Sequence, residues 1–274
     1  MDLPPPFGAT DATHYRPGSH VAVTRALPEE TAIAMVYDGS THAVMMATPA
    51  DVEDFAVGFS LTEGIVTALD QIASCDVIAH PKGIEAQMWL AEDRGAALAA
   101  RRRSLAGPVG CGLCGIDSIE AAVRSLPSLS DTGPMLAVAE IAAATESLRG
   151  WQPLHDRTRA VHAAGFLLPG QGVVLAREDV GRHNALDKLI GAMARQGIDP
   201  AQGAIVLTSR VSTEMVQKCV MAGCAILIAV SAPTLHALRL AEGAGLTLAA
   251  FARGEGFDLF CHPQRLRAEV SDVA

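Results

Sequence analysis

The sequence of 274 residues is poor in cysteine, in positive charge and in long apolar runs. Its six cysteines (75, 111, 114, 219, 224 and 261) are far below the ~8–10 % of disulfide scaffolds. Only Cys111 and Cys114 are close enough to form a motif, so the chain reads as one of a reducing compartment, the cytoplasm. A formal charge of −9 leaves no domain-wide basic surface and argues against a nucleic acid held by phosphate neutralisation. The longest apolar run, Cys224 to Val230, is well short of the roughly 18 residues a membrane helix needs. With Gly223 and Pro233 close on either side it reads as a buried strand, and no membrane partner is expected. The first twenty residues lack a basic start followed by an apolar core, which argues against a secretory signal. Their Pro and Gly content predicts a mobile tail over residues 1–19. Neither a Walker loop nor a GxGxxG fingerprint occurs, so ordinary ATPase and dinucleotide readings lack support.

Half of the residues are apolar, ample for a sizeable core. His20 to Leu27, Ala32 to Tyr37 and His42 to Ala47 read as strands, the last two joined at Asp38-Gly39-Ser40. Thr48-Pro49 predicts a helix opening with Thr48 as N-cap, and Val52, Phe55, Ala56, Phe59 and Leu61 put the apolar weight on one face. Ile72 to His80 and Ile84 to Ala91 complete a small α+β unit over residues 20–106. Arg101 to Gly115, RRRSLAGPVGCGLCG, reads as a loop, and a capping pair, Asp117 with Glu120, follows it before a helical stretch. Further helices are expected at Ala137 to Leu148, Arg182 to Arg195, Ser212 to Met221 and Leu235 to Ala241. Strands are expected at Val161 to Leu168, Val173 to Ala176, Ala204 to Thr208, Ala225 to Val230 and Leu246 to Phe251. That alternation predicts an α/β fold, a sheet layered with helices, for residues 107–274.

In GPVGCGLCGIDS the glycines around Cys111 and Cys114 let the loop bend and let another reactive atom approach the sulfur. A thiolate is the active nucleophile, and the following helix N-terminus or Arg101 to Arg103 could lower its pKa. A structural zinc site needs two more ligands, and no second close Cys or His pair exists. A thioredoxin-like pair expects a strand-helix junction in a smaller domain. Two incidental loop thiols are the bland alternative.

The segment VLAREDVGRHNALDK crowds Arg177, Glu178, Asp179, Arg182, His183, Asn184, Asp187 and Lys188 after a strand. It reads either as an anion site at a helix start or as a capping and ion-pair network. Ser212 is an N-cap, and Ser209 and Arg210 stand at the mouth of the preceding strand, a geometry suited to phosphate. Loops after Ala176, Thr208, Val230 and Ala250 could converge on one crevice at the carboxyl ends of the strands. There Phe251 could stack on a flat ring and Arg253 meet its phosphate.

From about Arg25 to Leu266 the chain resembles the formate dehydrogenase accessory sulfurtransferase family, FdhD. The elements that carry the resemblance are MATPADVEDFAVGFSLTEGI, GCGLCG, VHAAG, AREDVGRHNALDKLIG, TSRVSTEMVQK, SAPT and FARGEGFDLFCHPQRL. Cys261 departs from the family pattern, where a hydroxyl residue is more usual. The resemblance implies a cytidine-deaminase-like mixed sheet with an N-terminal subdomain, and a homodimer. It implies an enzyme that takes persulfide sulfur from a cysteine desulfurase. The sulfur would go to the molybdenum or tungsten bis(molybdopterin guanine dinucleotide) cofactor before its insertion into formate dehydrogenase. Cys111 would then bear the persulfide and Cys114 would be its partner. Phe251, Ala252, Arg253, Gly254, Glu255 and Gly256 would fall at the cofactor-binding segment, with Arg210 and Ser212 as phosphate contacts. A non-catalytic chaperone that binds the cofactor is the rival reading. Deaminase chemistry is not expected: a deaminase needs H-x-E before P-C-x-x-C, and His162-Ala163-Ala164 lacks the glutamate and follows the cysteines.

Overall fold

The computed structural model describes residues 2–91, 126–131 and 133–267. Phe7–Arg16 (β1) and Ser19–Pro28 (β2) pair antiparallel around Pro17-Gly18, with Gly18 at φ 80°. The expected tail is therefore a hairpin over most of its length. Its second strand, β2, is the one expected at His20 to Leu27; β1 is not announced, because most of its residues are exposed, none is buried, and no buried face imposes an apolar alternation. At its start the Arg157 guanidinium lies over the Phe7 ring, 4.9 Å from the centroid.

Thr31–Tyr37 (β3), Ser40–Ala47 (β4), Val52–Thr62 (α1), Ile72–His80 (β5) and Gly83–Leu90 (β6) form a second unit. Its sheet has the order β4-β3-β6-β5, with β3 and β6 parallel and the outer pairs antiparallel. Alternate residues Ile33, Met35 and Tyr37 of β3 and Ile84, Ala86, Met88 and Leu90 of β6 share one core with Phe55 and Phe59 of α1. The helix starts later than the sequence suggests. Asp51 is its N-cap, at φ 53° and without a side-chain cap bond. Thr48 is drawn elsewhere: its hydroxyl accepts from Val180 N–H (3.1 Å) and its own N–H donates to Asp179 Oδ2 (3.0 Å).

The rest of the described chain runs Leu136–Ala137 (β7), Val138–Arg149 (α2), Pro153–Thr158 (α3), His162–Leu168 (β8), Gly172–Asp179 (β9) and Arg182–Gln196 (α4). Ala204–Leu207 (β10), Thr213–Met221 (α5), Ile226–Ala229 (β11), Leu235–Ala244 (α6), Thr247–Arg253 (β12), Gly256–Cys261 (β13) and Leu266–Arg267 (β14) complete it. Six of these strands make a mixed sheet of order β13-β12-β11-β10-β8-β9. Strands β10, β11 and β12 are mutually parallel, while β8 is antiparallel to both β10 and β9, and β13 to β12. Helices α4, α5 and α6 cover one face and α2 the other. Sandwiching explains why AIVL and ILIA read as unbroken apolar runs: Ile205, Leu207 and Leu227 face one layer, and Val206, Ile226 and Ile228 the other. The mixed sheet layered with helices, with a smaller α+β unit before it, is the architecture the sequence predicted.

Helices α1 and α4 join the two units in backbone contact. A methyl group on Gly58 would lie 1.7 Å from the Asp187 carbonyl oxygen, and one on Gly191 would lie 1.9 Å from that of Asp54. Only glycine admits this approach.

Candidate functional site

Because β9, β10, β11 and β12 run the same way, their carboxyl ends share one edge of the sheet. A cleft of about 640 Å³ opens there, with Val180, Thr208, Val230, Arg253 and Gly254 contributed by the strand ends. The expected convergence of four loops is thus present. The opposite wall comes from the end of α2 and from α3, and includes Thr145, Arg149, His155 and Arg159. His162, the first residue of β8, also lines the cleft, and its Nδ1 lies 3.5 Å from the Thr208 hydroxyl. Thr208 Oγ1 accepts from Ala163 N–H (2.9 Å), which fixes it at the strand mouth.

Three guanidinium groups and two imidazoles meet here on a chain of net charge −9. Among the described residues that line the cleft, Glu146 is the only carboxylate. Arg149 pairs through Nη2 with Asp156, while its Nη1 is buried with no hydrogen-bond partner among the described residues. A buried donor left without an acceptor is costly, and an anion in the cleft would supply one. Arg159 closes α3 at φ 58°, with its N–H donating to His155 O (2.7 Å). Burial, reinforced by Arg182 and His155, holds His162 below the usual imidazole value. The cleft therefore suits a ligand with more than one anionic group.

Arg253 and Gly254, foreseen from sequence, line this cleft, and Arg253 Nε donates to Val230 O (3.0 Å). Ala252 is buried, and its carbonyl accepts from Thr145 Oγ1 (2.9 Å). Phe251 stands outside the wall at a bulge in β12, with φ 53°, 48 % exposed and 6.3 Å from the Phe260 ring. A bulky residue in the left-handed region is strained, and here the strain presents an aromatic ring to solvent. Gly254, at φ 62°, and Glu255 make the turn to Gly256, which pairs with Arg253. Arg210 and Ser212 are not part of the cleft wall. A bridge between Val211 and Pro233 takes the loop after β10 away, Arg210 is exposed, and Ser212 Oγ lies 3.5 Å from His183 Nε2. That imidazole, 3.8 Å from Glu214, is pushed down to about 4 by burial and then by Arg182. Arg101 to Arg103, Cys111, Cys114 and the helix expected after Gly115 lie outside the described residues.

The ion-pair alternative accounts for most of the polar cluster of residues 177–188. Arg177 Nη2 pairs with Asp54 (2.7 Å), and Asp179 with the fully buried Lys188 (2.7 Å). Asp187 accepts from both Lys218 (2.9 Å) and Thr62 (2.7 Å). Asn184 donates to Met46 O (2.9 Å). The bonds to Asp54, Thr62 and Met46 tie the two units together. Arg265 is buried against the Gly245 and Ser130 carbonyls. Sequence reasoning missed Arg149, His155 and Arg159: nothing near it in sequence marks Arg149, and His155 and Arg159 show only a spacing of four after Pro153, with Arg159 just past the helix end. Among the described residues no group of three or more His, Cys, Asp or Glu side chains could hold a metal ion, and no helix is long and apolar enough to cross a membrane.

The model of the FdhD/NarQ family matches residues 28–267. The chain belongs to the FdhD/NarQ family. Within that family it is 51 % identical over 254 residues to the sulfur carrier protein FdhD of Agrobacterium fabrum, with 93 % of this chain and 94 % of the relative covered. It is 55 % identical over 243 residues to the sulfur carrier protein FdhD of Brucella abortus biovar 1, with 89 % and 90 % covered. A crystal structure from Desulfotalea psychrophila, described as a formate dehydrogenase accessory protein, superimposes with a TM-score of 0.77 at 25 % identity. That match covers 96 % of this chain and all of the other. The FdhD/NarQ match takes in the whole six-stranded sheet and every residue of the cleft.

Proposed function

We propose that this protein is a sulfur carrier for formate dehydrogenase maturation and acts as a sulfurtransferase. In this reading it works in the cytoplasm as a homodimer. Cys111 receives sulfur from a cysteine desulfurase, and the acceptor is the molybdenum or tungsten bis(molybdopterin guanine dinucleotide) cofactor. The relatives, sulfur carrier proteins by name, support the sulfur-carrying role. The observation that carries the acceptor is the cationic cleft at the strand ends, with the buried Arg149 Nη1 that has no partner among the described residues. A guanine dinucleotide offers phosphates to Arg149, Arg159 and Arg253. Phe251, exposed on the same hairpin as Arg253, offers a surface for a flat ring.

In the loading step the Cys111 thiolate attacks the outer sulfur of the desulfurase persulfide. The bond between that sulfur and the desulfurase cysteine breaks as the new sulfur–sulfur bond forms, and the desulfurase cysteine leaves as a thiolate. No outside oxidant or reductant is consumed. Cys114 either relays the sulfur or tunes Cys111.

Two measurements test the reading. After incubation with a cysteine desulfurase and cysteine, mass spectrometry should find one added sulfur atom on the Cys111 peptide; sulfur on other thiols alone would remove Cys111 from its role. Arg253→Ala should weaken binding of guanosine diphosphate by about tenfold or more, the loss of one charge-assisted hydrogen bond, and unchanged binding would move the acceptor elsewhere. If Cys111→Ala still supports formate dehydrogenase maturation while Arg253→Ala does not, the protein is a cofactor chaperone and not a sulfur carrier.

A further inference from the structure

We propose that Glu178 is the positioning residue of the cleft: from the end of β9 it holds α3, and with it the phosphate-facing wall, in place. This rests on the reading of the cleft given above. Helix α3 has six residues, too few to be stable alone. Its N-cap, Gln152, makes no side-chain cap bond, and Pro153 occupies the first position. The next two donors both find Glu178: Leu154 N–H gives to Oε2 and His155 N–H to Oε1, each at 2.8 Å. A side chain 23 residues away in sequence thus caps the helix.

Much of the cationic wall depends on that cap. His155 and Arg159 line the cleft from α3 and its end, and Asp156 of the same helix holds the Arg149 guanidinium. The His155 ring is fixed from the other side, with Nδ1 3.2 Å from Val161 O. Burial pushes the Glu178 carboxyl up, opposed by the two N–H donors. Keeping a carboxylate half-buried to hold one turn of helix makes sense where the placement of that turn matters. Substitution by glutamine retains the shape but replaces one acceptor oxygen with a donor that opposes an N–H.

The test uses the full chain, guanosine diphosphate as the probe, and calorimetry to measure Kd. Glu178→Gln should weaken binding roughly tenfold and still unfold cooperatively. The decisive comparison is with Arg159→Ala. If Glu178 acts through α3, adding Glu178→Gln to Arg159→Ala should cost clearly less than it costs the wild type, because one of the groups that α3 places is already gone and interacting sites are not additive. A purely structural role gives independent losses that add, and that result, or wild-type affinity in Glu178→Gln, overturns the proposal. Should Glu178→Gln fail to fold, Pro153→Gly loosens the same helix without touching a charge. It must then show a similar loss, reduced in the Arg159→Ala background; full affinity in Pro153→Gly overturns the proposal. A wild-type protein that does not bind guanosine diphosphate defeats the cleft reading first and this inference with it.

Discussion

Gly191→Ala is expected to destabilise the protein by about 3 kcal/mol or more, with Gly58→Ala close behind. A methyl carbon on Gly191 would lie 1.9 Å from the Asp54 carbonyl oxygen and one on Gly58 1.7 Å from that of Asp187. Carbon–oxygen contacts close in at roughly 3.3 Å, so α1 and α4 would have to separate by more than an ångström. The obstacle is backbone on both sides and cannot turn aside as a side chain would. Separation would also strain the bonds that cross the same seam, from Arg195 Nη1 to Asp54 (2.5 Å) and from Lys188 Nζ to Thr48 O (2.9 Å). Gly243→Ala supplies the control. It lies in α6 with nothing within 4 Å of the added carbon, and should be neutral or stabilising by up to about 1 kcal/mol. Urea unfolding of the three variants decides the matter. Equal stability in Gly191→Ala and Gly243→Ala would show that the helices slide apart freely, which the close-packed seam contradicts.

The parts of the fold that were legible in the sequence are those with a buried face. Apolar runs marked β10 and β11, and helical spacing marked α4, α5 and α6, because the burial that shapes these elements acts on neighbouring residues. Of the first hairpin only β2 was read, at His20 to Leu27; β1, exposed along most of its length, left no such mark. At the cleft, Arg253 was legible because it follows an apolar strand with turn chemistry after it. Arg149 and Arg159 were not: the packing of α2 on the sheet brings the first to the strand ends and the Glu178 cap on α3 the second, both contacts between distant residues. The same reason left the polar cluster of residues 177–188 undecided between ligand and ion pair. The partner of Arg177 is Asp54, 123 residues earlier, and that of Lys188 includes Thr48, 140 residues earlier. A pattern confined to a dozen residues cannot show which charges are already neutralised from so far away.

Lys218→Met should destabilise the protein by about 3–5 kcal/mol at neutral pH, the usual effect of breaking a buried pair from one side. The ammonium donates to both Asp187 oxygens at 2.9 Å and to Thr62 Oγ1 at 3.1 Å. Without it the buried Asp187 carboxylate keeps only the Thr62 hydroxyl among these partners. Burial already pushes the Asp187 carboxyl above 3.8, and Lys218 is the chief opposing influence. Its removal raises that value further, so the folded state holds a proton that the unfolded chain has released. Folded Lys218→Met then binds more protons than its unfolded form, and its stability must fall as pH rises from the unfolded carboxylate value toward the folded one. The deficit relative to wild type should therefore shrink steadily between about pH 7 and pH 5. Urea midpoints across that range test the sign. Adding Asp187→Asn should recover much of the loss at neutral pH and remove its pH dependence, since a neutral amide needs no counter-charge. A deficit that stays constant with pH would mean that Asp187 is not left charged in the interior, and that water reaches the seam once Lys218 is gone.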